Sequence, residues 1–191
     1  MGKRIIVLLV FMCTSVNVFS LNNLGIVGKN IFRGSYPLPY SDDYKFLASL
    51  GITKIINLEH FLFGNKNASK EAGITIKNHP VKALPWSDCL FGYNELKKAF
   101  RSTVTAVEAG EVVYIHCLQG SDRTGALSAA LMIRDRSCGD EKIGSQHVKE
   151  EVMEALSEYG FHRRIFPVLH QRVAQWAINP PEWICANYSG D

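Results

Sequence analysis

Between Val112 and Ile133 the hydrophobic pattern changes period, and the change falls on His116-Cys117-Leu118-Gln119-Gly120-Ser121-Asp122-Arg123-Thr124-Gly125. Val112 to His116 is a short, continuous apolar run, the pattern of a strand buried on both faces. Ala126, Leu127, Ala130, Leu131 and Ile133 then recur at helical spacing and predict a helix that ends near Arg136, with Gly139 beyond it. A buried strand that passes into a helix through so short a loop predicts an α/β sandwich. Its central, mainly parallel sheet is flanked by helices, and its site lies at the carboxyl end of the strand.

The remaining pattern agrees with that class. Gly25 to Pro39 reads as an opening segment with turns, and Ser41 can cap a helix that runs to Leu50 and stops at Gly51. Thr53 to Leu58 reads as a buried strand, Glu59 to Gly73 as a loop, and Ile74 to Val81 as a second strand. Asn94 can cap a helix to Ala109, and two further helices are expected over Ser145 to Tyr159 and His162 to Ile178, closed by Pro180 and Pro181. No repeat, low-complexity tract or linker divides the chain.

The first twenty residues read as an export signal. Lys3 and Arg4 precede an apolar run from Ile5 to Met12 that is too short to span a bilayer, and Val18 and Ser20 suit a cleavage site before Leu21. The chain is therefore expected to be exported, periplasmic or secreted, without a stable membrane anchor, and residues 21–191 are expected to form a single domain. The chain holds 21 basic and 18 acidic residues; the first twenty hold two of the basic ones, leaving 19 against 18. That near-neutral balance gives no reason to expect a nucleic-acid partner. Beyond the signal stand Cys89, Cys117, Cys138 and Cys185. If Cys117 is to react it must stay free, so at most one bridge is compatible with activity. Cys138 with Cys185 and four free thiols are equal alternatives.

The stretch from Cys117 to Arg123 has the parts needed to hold a phosphate. A short loop ahead of a helix can aim successive N–H groups of Leu118, Gln119, Gly120, Ser121 and Asp122 at one point, with the positive end of the helix dipole behind them. Arg123 adds a planar two-point fork that lysine cannot reproduce. The same field stabilises a thiolate at Cys117, and Thr124 or Ser121 can offer the sulfur a hydroxyl. The set suits phosphoryl transfer through a cysteinyl-phosphate, with no metal or other cofactor required. His116 is expected to bond to backbone around the loop and tune the thiol, Arg33 to reach the pocket or brace the loop, and Asp122 to point outward, since its carboxylate would repel the ligand. An isolated buried cysteine or a rhodanese-like sulfur carrier would explain Cys117 without explaining Arg123-Thr124-Gly125.

Cys-x5-Arg preceded by His and followed by Thr-Gly resembles the signature of the cysteine-dependent protein tyrosine and dual-specificity phosphatases. Ile31-Phe32-Arg33-Gly34-Ser35-Tyr36-Pro37 and Gly51-Ile52-Thr53-Lys54-Ile55-Ile56-Asn57-Leu58 are similar to the opening of the small atypical dual-specificity enzymes, which include inositol-phosphate phosphatases and bacterial tyrosine-phosphatase-like phytases. The likeness runs from about Asn30 to Ile178. It implies a dual-specificity phosphatase-like fold and a general acid on a separate loop ahead of the cysteine. Asp88, in Pro85-Trp86-Ser87-Asp88, stands in that region, although the order is not the Trp-Pro-Asp of the tyrosine-specific enzymes. Lys77, His79 and Lys82 are candidates for holding further phosphates, so inositol polyphosphate is the leading substrate. Phosphotyrosyl or phosphoseryl protein is the alternative, and a catalytically inactive phosphate-binding module is the alternative of a different class. The absence of lysine from the loop argues against a membrane lipid.

Overall fold

The computed structural model describes residues 20–39, 42–82, 93–138, 144–162 and 166–188. The chain forms β1 (Gly25–Gly28), β2 (Ile31–Gly34), α1 (Asp43–Ser49), β3 (Lys54–Asn57), α2 (Lys66–Glu71) and β4 (Thr75–Asn78). It continues through α3 (Tyr93–Glu108), β5 (Val113–His116), α4 (Asp122–Ser137), α5 (Gln146–Ser157), α6 (Pro167–Ile178) and α7 (Glu182–Cys185). The strands make one sheet in the order β1-β2-β5-β3-β4. All neighbours are parallel except β1 and β2. The α/β sandwich expected from the change of period is thus present, with β5 at its centre and entirely buried.

Alternation along the strands sorts the core onto two faces. Ile56, Val113 and Ile115 join Ile31 on the side covered by α3 to α7, whereas Ile55 and Tyr114 face α1 and α2 with Leu47 and Ile74. Helix α4 is buried along most of its length, from Thr124 to Ile133, because α3, α5, α6 and α7 all pack around it. A helix enclosed on every side needs no polar face, which explains its run of alanine and leucine.

Three elements differ from the sequence expectation. The opening segment with turns is a hairpin: β1 and β2 meet across a tight turn in which Asn30 takes φ of 60°. Its strands are four residues each and bounded by glycine, so they show no hydrophobic period to read. Within Glu59 to Gly73 the short helix α2 forms, because the Asn65 side chain accepts from the N–H groups of Asn67 and Ala68. Beyond Pro181, α7 carries the chain back to the body of the fold. The proposed cap Ser41 lies outside the described residues, and Asn94 falls inside the first turn of α3 rather than ahead of it. The export signal, apart from Ser20, also lies outside the described residues.

The C-terminal return is held at several points. Trp183 donates from Nε1 to Tyr93 Oη at 2.7 Å and packs edge-on against Phe100 and Trp176. Arg134 Nη1 donates to the carbonyls of Ile184 and Ala186, each at 2.8 Å. Cys138 at the end of α4 and Cys185 at the end of α7 form a disulfide, leaving Cys117 as the free cysteine among the described residues. The bridge closes a loop of 47 residues. Chain entropy puts the stabilisation from closing a loop of that length at about 4 kcal/mol. Reduction, or Cys138→Ser with Cys185→Ser, should lower the melting temperature by roughly 10 °C. Thermal denaturation with and without dithiothreitol tests this, and coincident curves would remove the bridge from the stability of the fold.

Candidate active site

The loop that follows β5 is fixed from outside by its carbonyl groups. His116 Nδ1 lies 3.1 Å from the Cys117 oxygen. The Tyr36 N–H donates to Leu118 O at 3.1 Å, and Asn23 Nδ2 donates to Gln119 O at 2.8 Å. Arg33 Nη2 donates to Gly120 O, and the Gly125 N–H donates to Ser121 O at 2.7 Å, opening α4. Five successive carbonyls are thereby turned outward. The N–H groups of Leu118, Gln119, Gly120 and Ser121 donate to nothing among the described residues, so they are available to a common acceptor on the inner side.

Gly120 is required for this path. It takes φ of 77°, and a Cβ there would stand 2.5 Å from the Gly34 carbonyl and 2.8 Å from the Ser35 nitrogen. The loop therefore rests on the end of β2, whose own position is set by Tyr114 Oη donating to Ser35 O at 2.7 Å.

Two arginines flank the loop. Arg33 is buried, with its guanidinium 4.4 Å from the centre of the Tyr159 ring and Nη1 3.5 Å from Ser128 Oγ. Burial lowers its pKa to about 10, so it remains a cation at neutral pH, within electrostatic reach of Cys117. It is a brace of the loop rather than part of the pocket's lining. Phe161, two residues beyond Tyr159, closes against Gly125, where a Cβ would meet its ring at 2.6 Å. Arg123, at the start of α4, donates from Nη2 to Glu59 Oε2 at 2.6 Å. Glu59 in turn accepts through Oε1 from the N–H groups of His60 at 2.8 Å and Phe61 at 3.3 Å. Burial would raise this carboxyl, but the Arg123 bond and charge with the two N–H groups hold it below the usual carboxylate range. Glu59 is thus a positioning residue for Arg123. Glu59 opens a stretch whose sequence pattern reads as a loop; the signal available was its place just beyond a strand adjacent to β5.

Cys117 is buried at the loop's base. His116 is fully enclosed between Tyr114, stacked at 5.7 Å, and the edge of Tyr36 at 5.5 Å. Burial lowers its pKa to about 4. It is therefore neutral, with its proton on Nδ1 toward the Cys117 carbonyl. The expected hydroxyl bond to sulfur is not made: Thr124 Oγ1 is buried without a hydrogen-bond partner among the described residues, and Ser121 Oγ accepts from Asn23 Nδ2 at 3.4 Å. Asp122 is half-buried and does not line the cavity beside the loop; its Oδ1 is enclosed and makes no hydrogen bond among the described residues.

A cavity of about 660 Å³ adjoins the loop, lined by Leu118, Gln119 and Ser121 together with Asn22, Asn23, Ser35, Tyr36, Leu38 and Leu62. Among the described residues no cation lines it. Leu38, Leu62 and Leu118 are exposed along it, and Phe61 and Phe63 flank Leu62 in the chain with their side chains also exposed. Lys77 and His79 are not in this cavity. They line a separate groove between β4 and α3, on a strand two removed from β5, and Lys82 is exposed beyond it. Asp88 and Cys89 lie outside the described residues.

Burial raises Asp122 from 3.8 to about 6, against the lowering effect of Arg123. A carboxyl raised on folding gives its full share of stability below the unfolded value and loses it as pH rises through the folded one. Asp122→Asn should therefore raise the melting temperature above about pH 6 and by progressively less toward pH 3.8. Melting temperatures of both proteins across that range decide it; a difference independent of pH would mean that the carboxyl is not the cause.

Residues 27–137 match the Tc-R-P family, described as a polymorphic toxin system DSP-PTPase phosphatase. No curated protein matches the chain. Among solved structures, it is similar to the core catalytic domain of the PP-IP phosphatase SIW14 from S. cerevisiae, in complex with citrate. The TM-score is 0.60 at 20% identity, over 84% of this chain and 86% of that one. It is also similar to P. aeruginosa TpbA, with a TM-score of 0.58 at 17% identity, over 86% and 89% of the two chains. At these identities the structures establish a shared fold.

Proposed function

The chain belongs to the DSP-PTPase phosphatase family of cysteine-dependent phosphatases, and from that premise we propose that it hydrolyses phosphate monoesters through Cys117. The observation that carries this reading is the outward fixing of the five carbonyls from Cys117 to Ser121, which leaves the loop's N–H groups for an anion. The Cys117 thiolate attacks phosphorus, the bond to the ester oxygen breaks, and Asp88 delivers a proton to the departing alcohol. The Asp88 carboxylate then takes a proton from water, which attacks the cysteinyl-phosphate and releases inorganic phosphate and the thiolate. Arg123, steadied by Glu59, and the loop N–H groups stabilise the charge on the transferring oxygens in both steps.

The cavity beside the loop favours a phosphate carried on an apolar or aromatic group. Leu38, Leu62 and Leu118 offer contact to such a group, and no cation lines the cavity among the described residues. A phosphorylated peptide or an aryl phosphate fits this rim. Inositol polyphosphate is the second reading, favoured by the likeness to SIW14, a PP-IP phosphatase. Export remains part of the proposal. The basic and apolar start supports it, as does the Cys138–Cys185 disulfide, a bond that persists in oxidising compartments.

A panel measured in excess chelator separates these readings. Aryl phosphate and a phosphotyrosyl peptide with leucine or phenylalanine neighbours should exceed inositol hexakisphosphate in kcat/KM by about tenfold or more, the scale of a few apolar contacts. Cys117→Ser should abolish turnover on all of them while retaining phosphate binding. Higher kcat/KM on the inositol would reverse the order of the two readings, and no turnover on any substrate would leave a phosphate-binding module.

The role of Asp88 has its own test. A nitrophenolate leaves without a proton, whereas an alkoxide does not. Asp88→Asn should therefore slow single-turnover release of an alkyl alcohol by about 10²–10⁴-fold and of nitrophenol far less. Equal slowing of both, or of neither, assigns the proton to another group.

A further inference from the structure

The groove that receives Lys77 and His79 has a chemistry of its own. Its walls are the edge strand β4 and helix α3, and its volume is about 510 Å³. Lys54, Lys77, Lys98 and Arg101 bring four cations to it, against one lining carboxylate, Glu111. Lys54 is paired with Glu111 at 2.6 Å and Lys98 with Glu95 at 2.6 Å. Lys77 makes no ion pair among the described residues. Partly exposed pairs of this kind are weak and exchange readily for a better anion. From Lys54, in register with Thr75, to His79 the groove follows the strand for about 13 Å, enough for several anionic groups.

Two other uses of the groove fit less well. His79 Nε2 lies 3.0 Å from Ser102 Oγ, and its Nδ1 lies 3.6 Å from Glu95 Oε2, an order that suggests an activated serine. Ser102 sits inside α3, however, where the backbone N–H groups belong to the helix and none is left to stabilise an oxyanion. The line instead fixes the orientation of a buried histidine. A nucleobase is also disfavoured, because Ala106, Ala109 and Thr105 supply no aromatic surface for stacking.

We propose that this groove is a second anion site, separate from the catalytic loop, which binds a small molecule bearing several phosphate groups without hydrolysing it. Its cations come from three elements, β3, β4 and α3, so a ligand that spans them meets Lys77, which no carboxylate among the described residues pairs, together with the ion-paired Lys54 and Lys98. Burial keeps His79 below its ordinary pKa, so at neutral pH the field comes from the lysines and Arg101.

Titration calorimetry with inositol hexakisphosphate tests this in a Cys117→Ser/Arg123→Ala background, where the catalytic loop has lost its clamp. Binding is expected at about 50 mM salt and should weaken strongly near 300 mM. Adding Lys77→Ala and Lys98→Ala, both at exposed positions, should reduce affinity at least about tenfold, given roughly fivefold for each close charge. Lys66→Ala with Lys70→Ala on α2 removes the same net charge elsewhere and should change affinity by less than about twofold. No binding at low salt would overturn the proposal. So would binding that is indifferent to the groove lysines, or equally weakened by the α2 pair.

Discussion

The contact on which the site depends is the buried guanidinium of Arg33 on the carbonyl of Gly120. Enclosing a cation costs several kcal/mol in desolvation, and no carboxylate among the described residues pairs with this one to offset it. The cost is tolerable because the guanidinium serves three neighbours together. It fixes the loop carbonyl, stacks on Tyr159 and adds positive field behind Cys117. Without that anchor the Gly120 carbonyl would be free to turn inward, where its negative end would oppose the phosphate. The other four tied carbonyls extend the same principle around the loop, and the sheet order that places β2 beside β5 is what brings Arg33 within reach.

The second organising feature is the chain of bonds that ends at Arg123. Asn57 at the end of β3 accepts from the Glu59 N–H at 2.8 Å and donates to Leu62 O at 2.6 Å. This folds residues 59–62 so that the Glu59 carboxylate meets Arg123. The same fold carries Phe61 and Leu62 outward to the rim. One short turn thus sets both the orientation of Arg123 and the apolar character of the surface beside the loop.

What the sequence made legible followed from local pattern. The change of period at Cys117, the glycine at position 120 and the arginine at position 123 are features of contiguous residues, and they placed the loop, β5 and α4 together. The hairpin of β1 and β2 was not legible, because four-residue strands ending in glycine carry too little pattern. Glu59 and the brace role of Arg33 depend on which strands are neighbours, a property of the assembled sheet. Lys77 and His79 show the converse. Their nearness to the catalytic region along the chain suggested a shared pocket, but β3 lies between β4 and β5, and the alternation of side chains turns them toward α3.

The contacts of Tyr159 and Phe161 bear on what counts as the unit of inheritance in this family. The shared segment spans residues 27–137, yet Tyr159 supports Arg33 and Phe161 seals Gly125 from beyond its end. The portion of chain that carries the chemistry is therefore smaller than the portion that keeps it in shape. Grafting the shared segment onto a different C-terminal half would transfer the reactive residues without the surface against which they are set.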